Sequence, residues 1–163
     1  PRPSCDGRGA VLSWMPMPDA RDRPTRLADV LLRDGDDCTW CRRPFTRHVT
    51  PTTDHLVPKV KGGPSWEENE VAACRRCNRE RGHLSPADWL AECERRGRHP
   101  DRARVARTLA SLSNAIADRG GQRRACPYLA AQLRRLADST GGRAGGLRVR
   151  LNHPGRGAAS RQS

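Results

Sequence analysis

Two Cys-x-x-Cys pairs bracket an Asp-His dipeptide: Cys38-Thr39-Trp40-Cys41 comes first, then Asp54-His55, then Cys74-Arg75-Arg76-Cys77, with Asn78 directly after. Thiolates at i and i+3 grip one ion from the same side. Two such pairs complete a tetrahedron around Zn²⁺, so Cys38, Cys41, Cys74 and Cys77 are read as its ligands. A closed four-thiolate site leaves no open coordination position, and this zinc is expected to be structural. Redox Cys-x-x-Cys pairs favour a βαβ setting, which the surrounding sequence lacks. An Asp-His pair with a later Asn can hold a second metal and supply a general base. Taken singly, each of these three residues reads as an ordinary surface, core or capping residue. Their joint placement between the knuckles is what points to chemistry.

The elements that position these residues are short. Pro24 to Arg33 reads as a helix, with Pro24 in the first turn, Leu27, Val30 and Leu31 at helical spacing, and Gly35 as the stop. Residues 47–57 are β-branched and interrupted by Pro51, which suggests a broken strand ending at Asp54-His55. Lys61-Gly62-Gly63-Pro64 reads as a tight loop, either beside a substrate or as a plain surface turn, with Trp66 as its anchor. Glu70 to Ala73 forms a second strand, and Cys74 to Arg81 a short helix closed by Gly82. The order is strand, loop, strand, helix. Downstream, Ser85-Pro86 opens a helix that Gly97 ends. Residues 101–119 carry Val105, Leu109, Leu112 and Ile116 on one helical stripe, which reads as core. A last helix, with Pro127 in its first turn, runs to about Asp138. Cys93 and Cys126 fall on or beside helical patterns and read as small buried hydrophobes. His48 and His83 read as spare polar residues.

The motifs CTWC, TDHLVPKVKGG, WEENE and ACRRCNRERG, between Cys38 and Gly82, resemble the HNH endonuclease family in its zinc-bearing form. The family's three named positions correspond to His55, Asn69 and Asn78, the last an Asn where the family name has His. The resemblance implies a ββα-metal, or His-Me finger, motif that hydrolyses phosphodiester bonds in DNA. It implies His55 as general base and Asp54 and Asn78 as ligands of Mg²⁺ or Mn²⁺. Asn69 is implied to orient His55 or hold the loop. The alternative is a non-catalytic, zinc-dependent nucleic-acid-binding module, which has no need of Asp54-His55.

Composition agrees with a polyanionic partner. The chain carries 31 Lys and Arg against 18 acids in 163 residues. Residues 1–37 hold six Arg against seven acids, whereas 38–82 hold nine basic residues against five, so the positive field begins at the motif. Lys59, Lys61, Arg75, Arg76, Arg79 and Arg81 are the expected phosphate contacts, which give affinity and register but little sequence information. DNA is the expected partner, with RNA as a further possibility. No stretch approaches the roughly 18 apolar residues needed to cross a bilayer. No secretory signal pattern opens the chain, so a cytoplasmic setting is expected, nucleoid-associated if the source is bacterial. Pro1 is not an initiator, and Met15 or Met17 is a candidate start.

The fold class is therefore α+β and mostly helical. Residues 1–23 are expected to be disordered, 24–84 to form the zinc-stapled nuclease core, 85–138 a small helical bundle beside it, and 139–163 a disordered basic tail. With one Phe and one Tyr, the chain has a thin supply of core, and a structural metal substitutes for what is missing.

Overall fold

A computed structural model describes residues 21–144, with side chains through Ser139. Most of the expected N-terminal segment and the tail from residue 145 onward lie outside the described residues. The first helix, α1 (Arg23–Asp34), starts where the Asp22 carboxylate accepts from the Thr25 N–H at 2.9 Å. It stops at Gly35, whose φ of +86° suits glycine. Val30 is its fully buried residue, and the helix packs on a two-stranded antiparallel sheet.

That sheet pairs β1 (Pro51–His55) with β2 (Glu70–Cys74), placing Pro51 opposite Cys74 and His55 opposite Glu70. The first strand is shorter than residues 47–57. Pro51 has no N–H to donate, so it stands at the strand's first position. All five residues of β2 are buried, because α1 and the later helix α4 (Arg102–Arg119) both pack against it. The link between the strands folds back tightly. A Cβ on Gly63 would lie 1.9 Å from the Val57 carbonyl oxygen, so only glycine fits there. Trp66 lies half-buried beside it, with the Arg119 guanidinium over its ring at 4.7 Å. Helix α2 (Arg75–Arg81) follows β2 without a loop, and its N-cap is Cys74, whose sulfur accepts from the Cys77 N–H at 3.4 Å. Strand, loop, strand and helix thus form the ββα unit.

Beyond it, Ser85 caps α3 (Pro86–Arg95) and Asp101 caps α4. The last helix, α5 (Ala125–Ala144), runs past Asp138, so residues 139–144 continue the helix instead of opening the tail. A single apolar cluster joins Trp40, Leu56 and Val71 of the ββα half to Trp89, Leu109, Leu112 and Leu129 of the helices. The Val105–Ile116 stripe is core, as its spacing predicts. Cys93 is fully buried in the same cluster, while Cys126 is only half-buried. Polar ties reinforce the junction: the Asp101 N–H donates to the Thr39 carbonyl at 2.8 Å, and buried Arg104 pairs with Asp37 at 2.9 Å. Pooling apolar residues this way gives a chain poor in them one usable core. Among the described residues, no helix is long and apolar enough to cross a membrane.

Candidate active site

The turn after α1 and the β2–α2 junction bring Cys38, Cys41, Cys74 and Cys77 together, with their sulfur atoms all within 4.8 Å of one another. The Cys41 and Cys74 sulfurs are 4.0 Å apart. Four thiolates at about 2.3 Å from a tetrahedral zinc would be spaced about 3.8 Å apart, so the cluster fits that ion. Its hydrogen bonds stabilise thiolate charge. The bond from the Cys77 thiol, with backbone N–H groups of Cys74, Trp40 and Cys41 behind it, pulls the Cys38 thiol down to about 5 despite burial. Cys77 is pushed up in return. Arg43 donates to the Cys41 and Cys74 sulfurs at 3.4 and 3.6 Å, and Arg98 to the Cys77 sulfur at 3.5 Å. Two guanidinium groups thus face a cluster whose four thiolates exceed the charge of a divalent ion.

On the other side of α2, β1 delivers Asp54 and His55 to a cavity of about 360 Å³ that Asn78 also lines. Asp54 is buried. One carboxylate oxygen accepts from the Trp40 indole N–H at 2.8 Å and the other from Arg81. Burial pushes the Asp54 carboxyl up, against the pull of Arg81 and the indole. Each carboxylate oxygen has two lone pairs, so one on each remains after these bonds. The Asn78 Nδ2 donates to the Thr53 carbonyl at 3.1 Å, which leaves the lone pairs of its amide oxygen available to a cation. A carboxylate and an amide oxygen on one cavity wall suit a hard cation such as Mg²⁺, which keeps waters in its remaining positions.

His55 is half-buried. Burial first, then the nearby Lys59, Arg26, Arg23 and Arg81, lowers its pKa to about 4. The imidazole is therefore neutral at neutral pH, the form a proton acceptor needs. Its Nε2 lies 3.4 Å from the Ser65 hydroxyl and 3.2 Å from a Glu70 carboxylate oxygen. Asn69 is fully buried and meets backbone, not the imidazole. Its amide oxygen accepts from the Val57 N–H at 2.9 Å, and its Nδ2 donates to the carbonyls of Val57 and Pro64 at 2.9 and 2.8 Å. These three bonds tie Val57 to Pro64 across the loop.

The basic residues divide. Lys59 lines the cavity with Asp54 and His55, and Arg75 and Arg79 line an adjoining groove of about 600 Å³ that also reaches Asn78. Lys61 is exposed on the turn after Lys59. Arg76 projects to the thiol side, where it pairs with Glu80 at 2.7 Å. Arg81, also expected as a phosphate contact, lines the same cavity from within the protein. It is 3% exposed, because α2 turns it inward onto Asp54 and the carbonyls of His55 and Leu56. Three further residues at this site escaped sequence reasoning. Arg23 and Arg26 come from α1, and Arg26 is 3.0 Å from Glu70. Their helical spacing with Leu27 and Val30 was a usable signal. Glu70 opens the second strand, and only the strand register brings it to His55. His48 and His83 are exposed.

Residues 38–84 match the family model described as HNH endonuclease. Over 58 residues the chain is 36% identical to the CRISPR-associated endonuclease Cas9 of Corynebacterium diphtheriae (strain ATCC 700971 / NCTC 13129 / Biotype gravis). That stretch is 35% of this chain and 5% of the relative, so the chain spans a small part of that protein's length.

Proposed function

We propose that residues 38–84, a segment of the HNH endonuclease family, hydrolyse phosphodiester bonds in DNA with His55 as general base. One observation carries the reading: Asp54, His55 and Asn78 line a single cavity whose walls also carry Arg23, Arg26 and Lys59. A neutral imidazole takes a proton from water as that water's oxygen bonds to phosphorus. The bond to the 3′ oxygen breaks, that oxygen keeps the electron pair and is protonated by solvent, and the products are a 5′ phosphate and a 3′ hydroxyl. Asp54 and Asn78 would hold Mg²⁺ or Mn²⁺, which supplies charge stabilisation at the phosphorus oxygens and the leaving group. Asn69 keeps the His55–Pro64 loop in place for this step. Lys59, Arg75 and Arg79 are the phosphate contacts flanking the cut. Zn²⁺ at the four cysteines is structural. DNA as substrate implies work in the cytoplasm, at the nucleoid in a bacterium.

The test is a supercoiled-plasmid nicking assay on the full chain with Mg²⁺, Mn²⁺ or EDTA, beside His55→Ala. The parent should nick only with a divalent ion, and the variant about 10²- to 10⁴-fold more slowly with DNA retention intact. Equal rates refute the assignment of the base. Retention of DNA without turnover under any divalent ion supports the non-catalytic binding module. Duplex DNA, single strands and RNA run in parallel decide the substrate.

A further inference from the structure

Glu70 has a place that neither packing nor the reaction above explains. It is fully buried at the first position of β2, where an apolar side chain would cost far less. One carboxylate oxygen lies 3.0 Å from Arg26 Nε and 3.2 Å from His55 Nε2. The other has no hydrogen-bond partner. An ion pair with Arg26 alone would offset burial, yet it would be satisfied equally well by a carboxylate turned outward along α1. Instead the acid sits in direct cross-strand register with His55, and residues so paired have Cβ atoms about 5 Å apart on one face. Sheet pairing, not a loop, therefore sets the distance between carboxylate and imidazole.

We propose that Glu70 is the positioning residue of His55: it accepts the Nε2–H of the imidazole and so leaves Nδ1 as the nitrogen that receives the proton from water. A neutral imidazole carries one N–H, and which nitrogen bears it is set by the hydrogen bond the other partner offers. The Ser65 hydroxyl also lies on the Nε2 side, at 3.4 Å, but it donates or accepts equally well, so the acceptor-only carboxylate of Glu70 is the partner that selects the tautomer. Arg26 Nε donates to the same carboxylate oxygen, so α1 reaches the base through one intermediary. The proposal rests on His55 being the base.

The test compares the parent, Glu70→Gln, Glu70→Leu and His55→Ala in the nicking assay, each first checked for zinc content and helicity. Gln keeps an acceptor oxygen and should stay within several-fold of the parent. Leu should lower kcat by about 10- to 100-fold, the usual scale for losing a partner that orients a functional histidine, with KM unchanged. Long-range ¹H–¹⁵N spectra of His55 should show the Nε2–H tautomer in the parent and in Glu70→Gln, and a mixture in Glu70→Leu. A Glu70→Leu protein that nicks like the parent, or keeps a pure Nε2–H tautomer, overturns the proposal. Recovery of Glu70→Leu by raising Mn²⁺ also overturns it, because that outcome makes Glu70 a metal ligand. If His55→Ala nicks at the parent rate, the failure lies with the base itself and is seen independently of Glu70.

Discussion

Asn69→Ala tests whether the loop after His55 is held by side-chain hydrogen bonds. The Asn69 side chain makes three of them, to the Val57 N–H, the Val57 carbonyl and the Pro64 carbonyl, and the residue has no solvent exposure. Alanine deletes all three and leaves one donor and two acceptors facing a void. Each orphaned buried group costs about 1–3 kcal/mol. Water entering the vacated space offsets part of this, so the expected loss is about 3–5 kcal/mol, a large share of the roughly 5–15 kcal/mol that holds a domain together. Asn69→Asp should be no better at neutral pH. It keeps an acceptor for Val57 N–H but turns lone pairs toward the two carbonyl oxygens. The assay is urea unfolding of the zinc-loaded full chain, followed by tryptophan fluorescence and by circular dichroism, since Trp40 and Trp89 are both buried in the core. A midpoint shift worth less than about 1 kcal/mol at unchanged slope refutes the reasoning. If stability holds while nicking is lost, Asn69 acts on the chemistry and not through the loop.

Two other perturbations probe the same frame. Gly63→Ala places a methyl group against the Val57 carbonyl, which would be 1.9 Å away, so the loop must shift. The expected loss is about 1–3 kcal/mol in the same urea assay, and an unchanged midpoint would show that the loop is not under that constraint. Stripping zinc with a strong chelator should abolish cooperative unfolding of the ββα half, because a structural site's binding energy is folding energy. Equal urea midpoints with and without chelator contradict a structural role for Cys38, Cys41, Cys74 and Cys77.

Local chemistry was legible because its causes are local. Pro24 with Gly35, Ser85 with Pro86, and Gly82 after α2 announce helix ends through φ restriction and capping, which act within one turn. The spacing of the cysteines points to a four-thiolate cluster, since i and i+3 ligands suffice to define each half of a tetrahedron. The stripe from Val105 to Ile116 read as core because helical periodicity is a property of the chain itself.

Partners distant in sequence leave no local pattern. Arg81 looked like one more phosphate contact among the Arg of α2. Its orientation is decided by Asp54, 27 residues away, and by carbonyls of β1's exit. Arg23 and Arg26 reach the cavity only because α1 packs across the sheet. Glu70 meets His55 through strand register, which no single strand carries by itself. The end of α5 shows the same limit from the other side, for a helix running on to Ala144 overrides two glycines that local propensity marks as a stop. The sequence alone determined which atoms are present for chemistry and which short elements carry them, because bond geometry and nearest neighbours settle those matters. The tertiary structure alone decided which charges are buried, which face the cleft, and which acid stands beside the imidazole. Those outcomes depend on desolvation and contact between segments that only folding brings together.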